Sequence, residues 1–404
     1  MKFSWFSLIV AGFLLGASSF ASAADDEGFT LFSDSKLYGQ FRPRYEYADV
    51  NGGPEAANAF TIRTVIGGKF ANLIKINGLN ADLEATNVSH FGLMDDYKPE
   101  QGDYDVIMDP SQTRMTQANL SYKFGETQFI AGRKMFTLDN QRFVGHVGWR
   151  QMPQTYDTLA VIDKSVKGLT LTGAYVFGIN KIQENLRQKT NSLVLNGSYA
   201  VTKQLKLTAY GYLLSSIHDT YGIRATGSTK VSGTKISYEA EYAIQDKPTL
   251  KEDALGDVQP DVEAEYYKLG VKTNYKGFLI GLAYEVLGEK EGSEGGAFTT
   301  PLATLHGMNG WADKFLKTPA GGLEDLNLTV GYITKKHGRI VGILRSFESN
   351  AGGTDLGSEF DLIYARKINK NLSMILKSAF YDEGDSGKGD TTKYWLMLDY
   401  KFSH

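Results

Sequence analysis

An apolar–polar alternation with a period of two runs through this chain nearly end to end, and after residue 23 no apolar run reaches the length of a membrane helix. Successive side chains of a strand project to opposite faces, so such alternation encodes sheets with one apolar and one polar side. Residues 235–245 state it most clearly. Ile236, Tyr238, Ala240, Tyr242 and Ile244 share one face, and Lys235, Ser237, Glu239 and Glu241 the other. In 37–47, Leu37, Phe41, Tyr45 and Tyr47 oppose Gln40, Arg42, Arg44 and Glu46. In 60–66, Phe60, Ile62 and Ile66 oppose Arg63, and in 79–85 four apolar residues oppose Asn80, Asp82 and Glu84.

Counted along the chain, the pattern predicts about 18 strands, each near the length a tilted membrane strand requires. They fall at 36–48, 57–70, 76–88, 113–124, 127–134, 157–163, 169–178, 190–200, 204–215, 220–228, 234–245, 262–275, 278–288, 323–334, 339–349, 358–367, 371–381 and 391–402. The links alternate, on the whole, in length. Short ones sit near 125–126, 164–168, 201–203 and 276–277, and long ones at 91–112, 135–156, 246–261 and 289–322. Short periplasmic turns facing long outer loops mark a bacterial outer-membrane barrel, whereas a soluble sandwich has no reason to sort its loops. Both ends then lie on the periplasmic side and the strand count is even.

Backbone groups in hydrocarbon must all be paired, so such a sheet has to close. Closure of about 18 strands leaves an aqueous lumen. The expected fold is therefore all-β: a transmembrane antiparallel barrel with its charged faces inward. The last strand fits this, with Tyr394, Leu396, Leu398, Tyr400 and Phe402 on one face. Barrel-assembly machinery of outer membranes reads terminal strands of this kind. The abundant tyrosines would form aromatic girdles at the two interfaces.

The ends and the composition narrow the setting. Lys2, the apolar run 8–15 and Ala21-Ser22-Ala23 read as a signal peptide over 1–23, with the barrel over 24–404. Without the first 23 residues, 42 basic residues face 46 acidic ones, which argues against nucleic-acid binding. Cys is absent, so no disulfide framework or thiolate metal site arises. No cofactor is expected. The acidic stretch with Glu252, Asp253, Asp257 and Asp261 reads as solvated outer loop, with divalent-cation or lipopolysaccharide bridging as the alternative.

Candidate functional residues lie on the polar faces. Arg42, Arg44, Arg63 and Lys69 with Glu46, Glu239 and Glu241 are expected to line the lumen, where rings of charge select permeants by sign. Merely keeping the lumen wet is the alternative. The link 134–157 is far richer in Arg and aromatic residues than a free loop needs, so it is expected to fold inward and narrow the pore. A second irregular link carries Thr304-Leu305-His306-Gly307 and Asn309-Gly310-Trp311-Ala312-Asp313-Lys314-Phe315. His306 matches no metal-ligand spacing, and a structural role is expected for it.

The run Gly132-Arg133-Lys134…Asp139…Gln141-Arg142-Phe143-Val144-Gly145…Trp149-Arg150-Gln151…Gln154-Thr155-Tyr156-Asp157 resembles the alginate-export family of outer-membrane channels, as does the run from Thr304 to Phe315. The resemblance implies a monomeric 18-stranded barrel passing an anionic polysaccharide. It implies that Arg133, Arg142 and Arg150, with Asp139 and Asp157 as pairing partners, form an electropositive constriction. The expected function is passive diffusion of small or polymeric anionic solutes across the outer membrane, among lipid and lipopolysaccharide. The alternatives are a general porin without substrate specificity, a barrel-embedded hydrolase and a closed structural barrel. No enzymatic activity is expected.

Overall fold

The computed structural model describes residues 31–183, 187–250, 263–290 and 296–404. The expected signal peptide and the acidic stretch from Glu252 to Asp261 lie outside the described residues. Strands β1 (Asp34–Val50), β2 (Ala57–Ala71) and β3 (Leu79–Ser89) form a meander, and β4 (Asp95–Asp96) is a two-residue strand in the loop that follows. Next come β5 (Gln112–Phe124), β6 (Thr127–Lys134), β7 (Thr155–Asp163), β8 (Leu169–Asn180), β9 (Arg187–Ala200) and β10 (Leu205–Leu214). β11 (His218–Val231), β12 (Thr234–Asp246), β13 (Ala264–Tyr275) and β14 (Phe278–Leu287) precede the longest link. β15 (Leu323–Thr334), β16 (Gly338–Glu348), β17 (Asp355–Lys367), β18 (Leu372–Asp382) and β19 (Thr391–Ser403) complete the chain.

Each barrel strand pairs antiparallel with its sequence neighbours, and β19 returns to β1 in a register from Tyr38↔Ser403 to Val50↔Thr391. The sheet is closed, with 18 strands in the ring. β4, which the alternation did not predict, pairs only with β2, at Asn58↔Asp96 and Ala59↔Asp95. Pairing of β2 with β3 stops at Ile62↔Ser89, so β4 covers backbone groups that β3 leaves open.

The two faces follow the alternation. Outward residues such as Leu120, Ile223, Leu269 and Leu344 are about half exposed or more, forming the apolar band that meets lipid. Exposed tyrosines flank the band at both ends, Tyr122, Tyr199 and Tyr275 at one and Tyr175, Tyr221 and Tyr242 at the other. Both described ends lie at the rim of short turns, where Leu37 and His404 exchange backbone hydrogen bonds. Three of these turns are two-residue hairpins, at 125–126, 232–233 and 276–277. Lys276–Gly277 and Ser232–Gly233 have positive φ at both positions, the twist that suits adjacent strands. Loop sorting is not strict, because β10 and β11 are joined at the opposite rim by only residues 215–217.

The packed core lies inside the barrel. Phe143, from the link after β6, sits among inward-facing Tyr210 and Tyr266 and loop residue Phe298, with ring centroids 5.2, 5.3 and 5.9 Å away. The lumen is therefore polar in part and occupied by inward-folded loops in part.

Candidate functional site: the loop-filled lumen

Residues 135–154 enter the lumen as non-regular backbone, and its carbonyls need donors there. The inner wall supplies them from arginine, whose guanidinium offers five N–H groups. Arg42 donates through Nε to Gln151 Oε1 at 2.9 Å and through Nη1 to the Gly148 carbonyl at 3.0 Å. Its Nη2 reaches the Arg150 carbonyl at 2.6 Å. Arg44 donates to the Trp149 carbonyl at 2.7 Å and ion-pairs with Glu46 and Asp109. Gln151 in turn donates to the Thr61 side chain and to the carbonyls of Arg42 and Thr61.

The two irregular links singled out in the sequence pack on each other. Gly145 N–H donates to the Leu302 carbonyl at 2.8 Å, and Thr304 N–H to the Gln141 carbonyl at 3.0 Å. A Cβ on Gly145 would stand 2.3 Å from Thr304 Oγ1 and 2.9 Å from its backbone nitrogen, so the contact requires glycine. Gly310, at φ +88°, brings the second link against Glu359, whose carboxylate accepts the backbone N–H groups of Trp311 and of Ala312, the latter at 2.9 Å.

Charged groups clamp this assembly to the wall. Arg150 bridges Glu46 at 3.0 Å and Asp313 at 2.9 Å, and Lys393 also meets Asp313 at 3.1 Å. His306 Nδ1 lies 2.6 Å from Asp313, and its Nε2 lies 2.5 Å from Lys377 Nζ. Burial, opposed by Asp313 and aided by Lys377, pushes the His306 ring down to about 3, so it is neutral and accepts from the lysine. Burial favours protonated Asp313, but His306, Lys393 and Arg150 hold its carboxyl well below the usual range. Lys377 lies over the rings of Trp311, Trp149 and Trp395, at 3.7, 4.2 and 5.1 Å from their centroids. The expectation of a structural place for His306 agrees with these contacts.

Arg142 ion-pairs with Glu285 at 3.1 Å and donates to Asn309 at 3.0 Å. Arg133 pairs with Asp157 at 2.7 Å, which also accepts from Arg187. Asp139 does not pair with Arg142 or Arg150, as the resemblance implied. It faces Lys206 at 3.8 Å and Arg224 at 4.0 Å. Arg224 also binds Glu239 at 2.7 Å and Glu241 at 3.2 Å. Lys69 lies over the Tyr38 ring.

Two of the candidate arginines differ from the others. Arg42 and Arg63 are direct register partners across β1 and β2, both buried on the inner wall. Among the described residues neither has a carboxylate within 4 Å, and Arg63 Nε has no hydrogen-bond partner, while Glu84, Asp399 and Asp109 act on Arg63 only from farther off. His146 stands close enough to both that burial and their charge hold its ring below the ordinary histidine range. Sequence parity found both arginines but could not show that no carboxylate reaches ion-pair distance of either.

Two hollows of note lie among the described residues, one beside the loops and one against the wall strands. One, of about 420 Å³, lies at the long-loop end and is lined by Arg150, Lys181, Lys314 and Lys393 with Asp105 and Asp313. Burial, with neighbouring Lys393, lowers Lys314 to about 8. The other, of about 610 Å³, is lined among others by Arg224, Lys235, Lys272 and Glu239. No cluster of metal-ligating side chains occurs among the described residues.

No family model matches the chain, and no curated protein does. Solved structures do. The chain resembles Acinetobacter baumannii OccAB2 with a TM-score of 0.73 at 17% identity, covering 93% of this chain and 100% of that one. It resembles Pseudomonas aeruginosa OccK8 (OprE) at 0.70 and 14%, again covering 93% and 100%. A Pseudomonas aeruginosa OpdK structure with vanillate gives 0.71 and 12%, with the same coverage. At such identities the likeness establishes the fold: a closed 18-stranded barrel of the outer-membrane porin type. It overturns the resemblance to the alginate-export family, since these neighbours are Occ-type barrels. The two stretches that carried that resemblance are where the inward loops meet, which demands glycine, arginine and aromatic residues for packing alone.

Proposed function

We propose that this barrel is a passive diffusion channel of the outer membrane for small hydrophilic anions. The observation that carries the reading is the Arg42–Arg63 pair, two buried guanidiniums side by side with no carboxylate within 4 Å of either among the described residues. Like charges directly opposite across strands repel. A permeating anion would relieve that repulsion, and guanidinium forks bind carboxylates well. Most other lumen cations already face a carboxylate of the chain, so they hold the loops. Arg142 and Arg150, implied as constriction residues, are read here as loop clamps, and Arg63 as the selective charge.

Size supports a small permeant. The hollows of about 420 and 610 Å³ fall in the range that suits small molecules. One neighbour of like fold, OpdK, has been solved with vanillate, a small organic acid. The reading is transport driven by the solute gradient, with no chemical step. Planar-bilayer recordings across a salt gradient test it. A reversal potential of the sign for anion preference is expected. Cation preference would remove anion selectivity, and a protein that passes no current would remove the channel.

A further inference from the structure

We propose that the short-turn rim of the barrel is a docking surface for anionic phospholipid headgroups of the periplasmic leaflet. The observation is a pairing repeated around the rim. Lys123 stands beside Phe124, Lys230 beside Val231, and Lys367 beside Ile368. These apolar side chains are well exposed, Phe124 at 70%, Val231 at 54% and Ile368 at 50%. The turn after β2 reads Ile74-Lys75-Ile76, and the turn after β7 brings Val166 next to Lys167. Six of the eight short turns hold a lysine, and the other two, 125–126 and 232–233, have one in the flanking strand end, Lys123 and Lys230; each has an apolar residue within three positions.

Charge at this rim is one-sided. Lys335, Lys336, Arg366 and Lys370 add to the set, all exposed and none in an ion pair among the described residues. The acids at the same level are few, and one of them, Asp163, is engaged by Thr127 and Ser165. The opposite rim is mixed, with exposed Asp49, Glu55, Asp103 and Asp355 beside Lys98 and Lys317. The chain's formal net charge of −3 conceals this asymmetry.

The apolar partners decide between possible occupants. A polyanion in water, such as the acidic peptide-and-sugar mesh of the periplasm, offers phosphate or carboxylate but no apolar phase. A leaflet offers both. Exposed Phe124 and Ile368 enter the acyl boundary while the lysine stem reaches back to a phosphate. The level is set by the tyrosines Tyr122, Tyr199 and Tyr275 at the same end of the apolar band, since such girdles lie at headgroup depth. Clustered lysines beside a membrane surface recognise anionic lipid through screened attraction.

The test is lipid partition around the purified full-length barrel. The protein is equilibrated in detergent micelles with equal amounts of phosphatidylglycerol and phosphatidylcholine of the same chains, and the co-purified lipid is measured. Enrichment of phosphatidylglycerol is expected, on the scale of roughly five-fold for one well-formed lysine contact. It should fall toward unity at high salt, which needs no variant. It should also fall in a variant with Lys335→Gln, Lys336→Gln, Lys367→Gln and Lys370→Gln that keeps the heat-modifiable mobility of a closed barrel. A ratio of one in the native protein overturns the proposal. So does salt-sensitive sedimentation with isolated cell-wall sacculi unaccompanied by lipid enrichment, which would assign the rim to the wall polymer.

Discussion

Arg42 and Arg63 stand opposite each other on the inner wall, yet only Arg42 is bound, to four groups of the 135–154 loop. One side chain of the pair holds structure and the other holds charge. They can therefore be separated by experiment.

Arg63→Gln should lower the anion-to-cation permeability ratio, by roughly two- to five-fold for one charge without a contact ion pair in a narrow lumen. Loop packing should not change, because Arg63 makes no hydrogen bond among the described residues. Arg142→Gln should do the reverse, disturbing the loops through Glu285 and Asn309 while leaving the reversal potential nearly fixed. Bilayer recordings and tryptophan emission read the two effects. Equal effects of both substitutions on selectivity would reject the division.

Asp313 is the shared acceptor of Arg150, Lys393 and His306. Asp313→Asn leaves buried cations without that partner, a change that typically costs about 3–5 kcal/mol. The loss should fall on loop docking, since the strand ladder is untouched. The expected outcome is frequent current flicker with unaltered barrel mobility. Steady current in the variant would show that the clamp is redundant.

His306 makes docking pH-dependent. A ring whose value drops from 6.5 to about 3 on docking binds a proton more readily when released. Docking is thus strongest above about pH 6.5 and weakens as pH falls toward 3, by roughly 1.4 kcal/mol per unit in that window. Three of the chain's four tryptophans, Trp149, Trp311 and Trp395, surround Lys377, so intrinsic emission reports this directly. His306→Gln keeps an acceptor for Lys377 and should flatten the pH response. A variant that titrates like the native chain would place the effect elsewhere.

Gly145→Ala should part the two loops, because its methyl would overlap Thr304 side chain and backbone together. A cost of roughly 1–3 kcal/mol is expected from such overpacking. Mean conductance should rise as the loops leave the lumen. Conductance equal to that of the native protein would mean the overlap is absorbed by loop movement.

The barrel was readable from the residue pattern alone. All 18 ring strands lie where period-two alternation puts them, and Lys235–Gln245 and the last strand show the expected faces. This was legible because membrane and lumen impose their demand on each residue separately, through a local pattern. β4 escaped notice because two residues carry no period. Parity also named Arg42, Arg63, Glu239 and Glu241 as inward.

What those side chains do depends on contacts between residues far apart in the chain. Arg42 meets Gln151 across 109 positions, and Arg150 meets Asp313 across 163. Nothing local distinguishes a clamped arginine from Arg63, which differs in having no carboxylate within 4 Å among the described residues. The same gap let two loop stretches suggest a wrong family, since inward packing and ligand binding call for the same residue types. The physical reason is closure: a ring of strands brings remote loops into one narrow, partly dry space, where the sum of all neighbours decides which charge stays free.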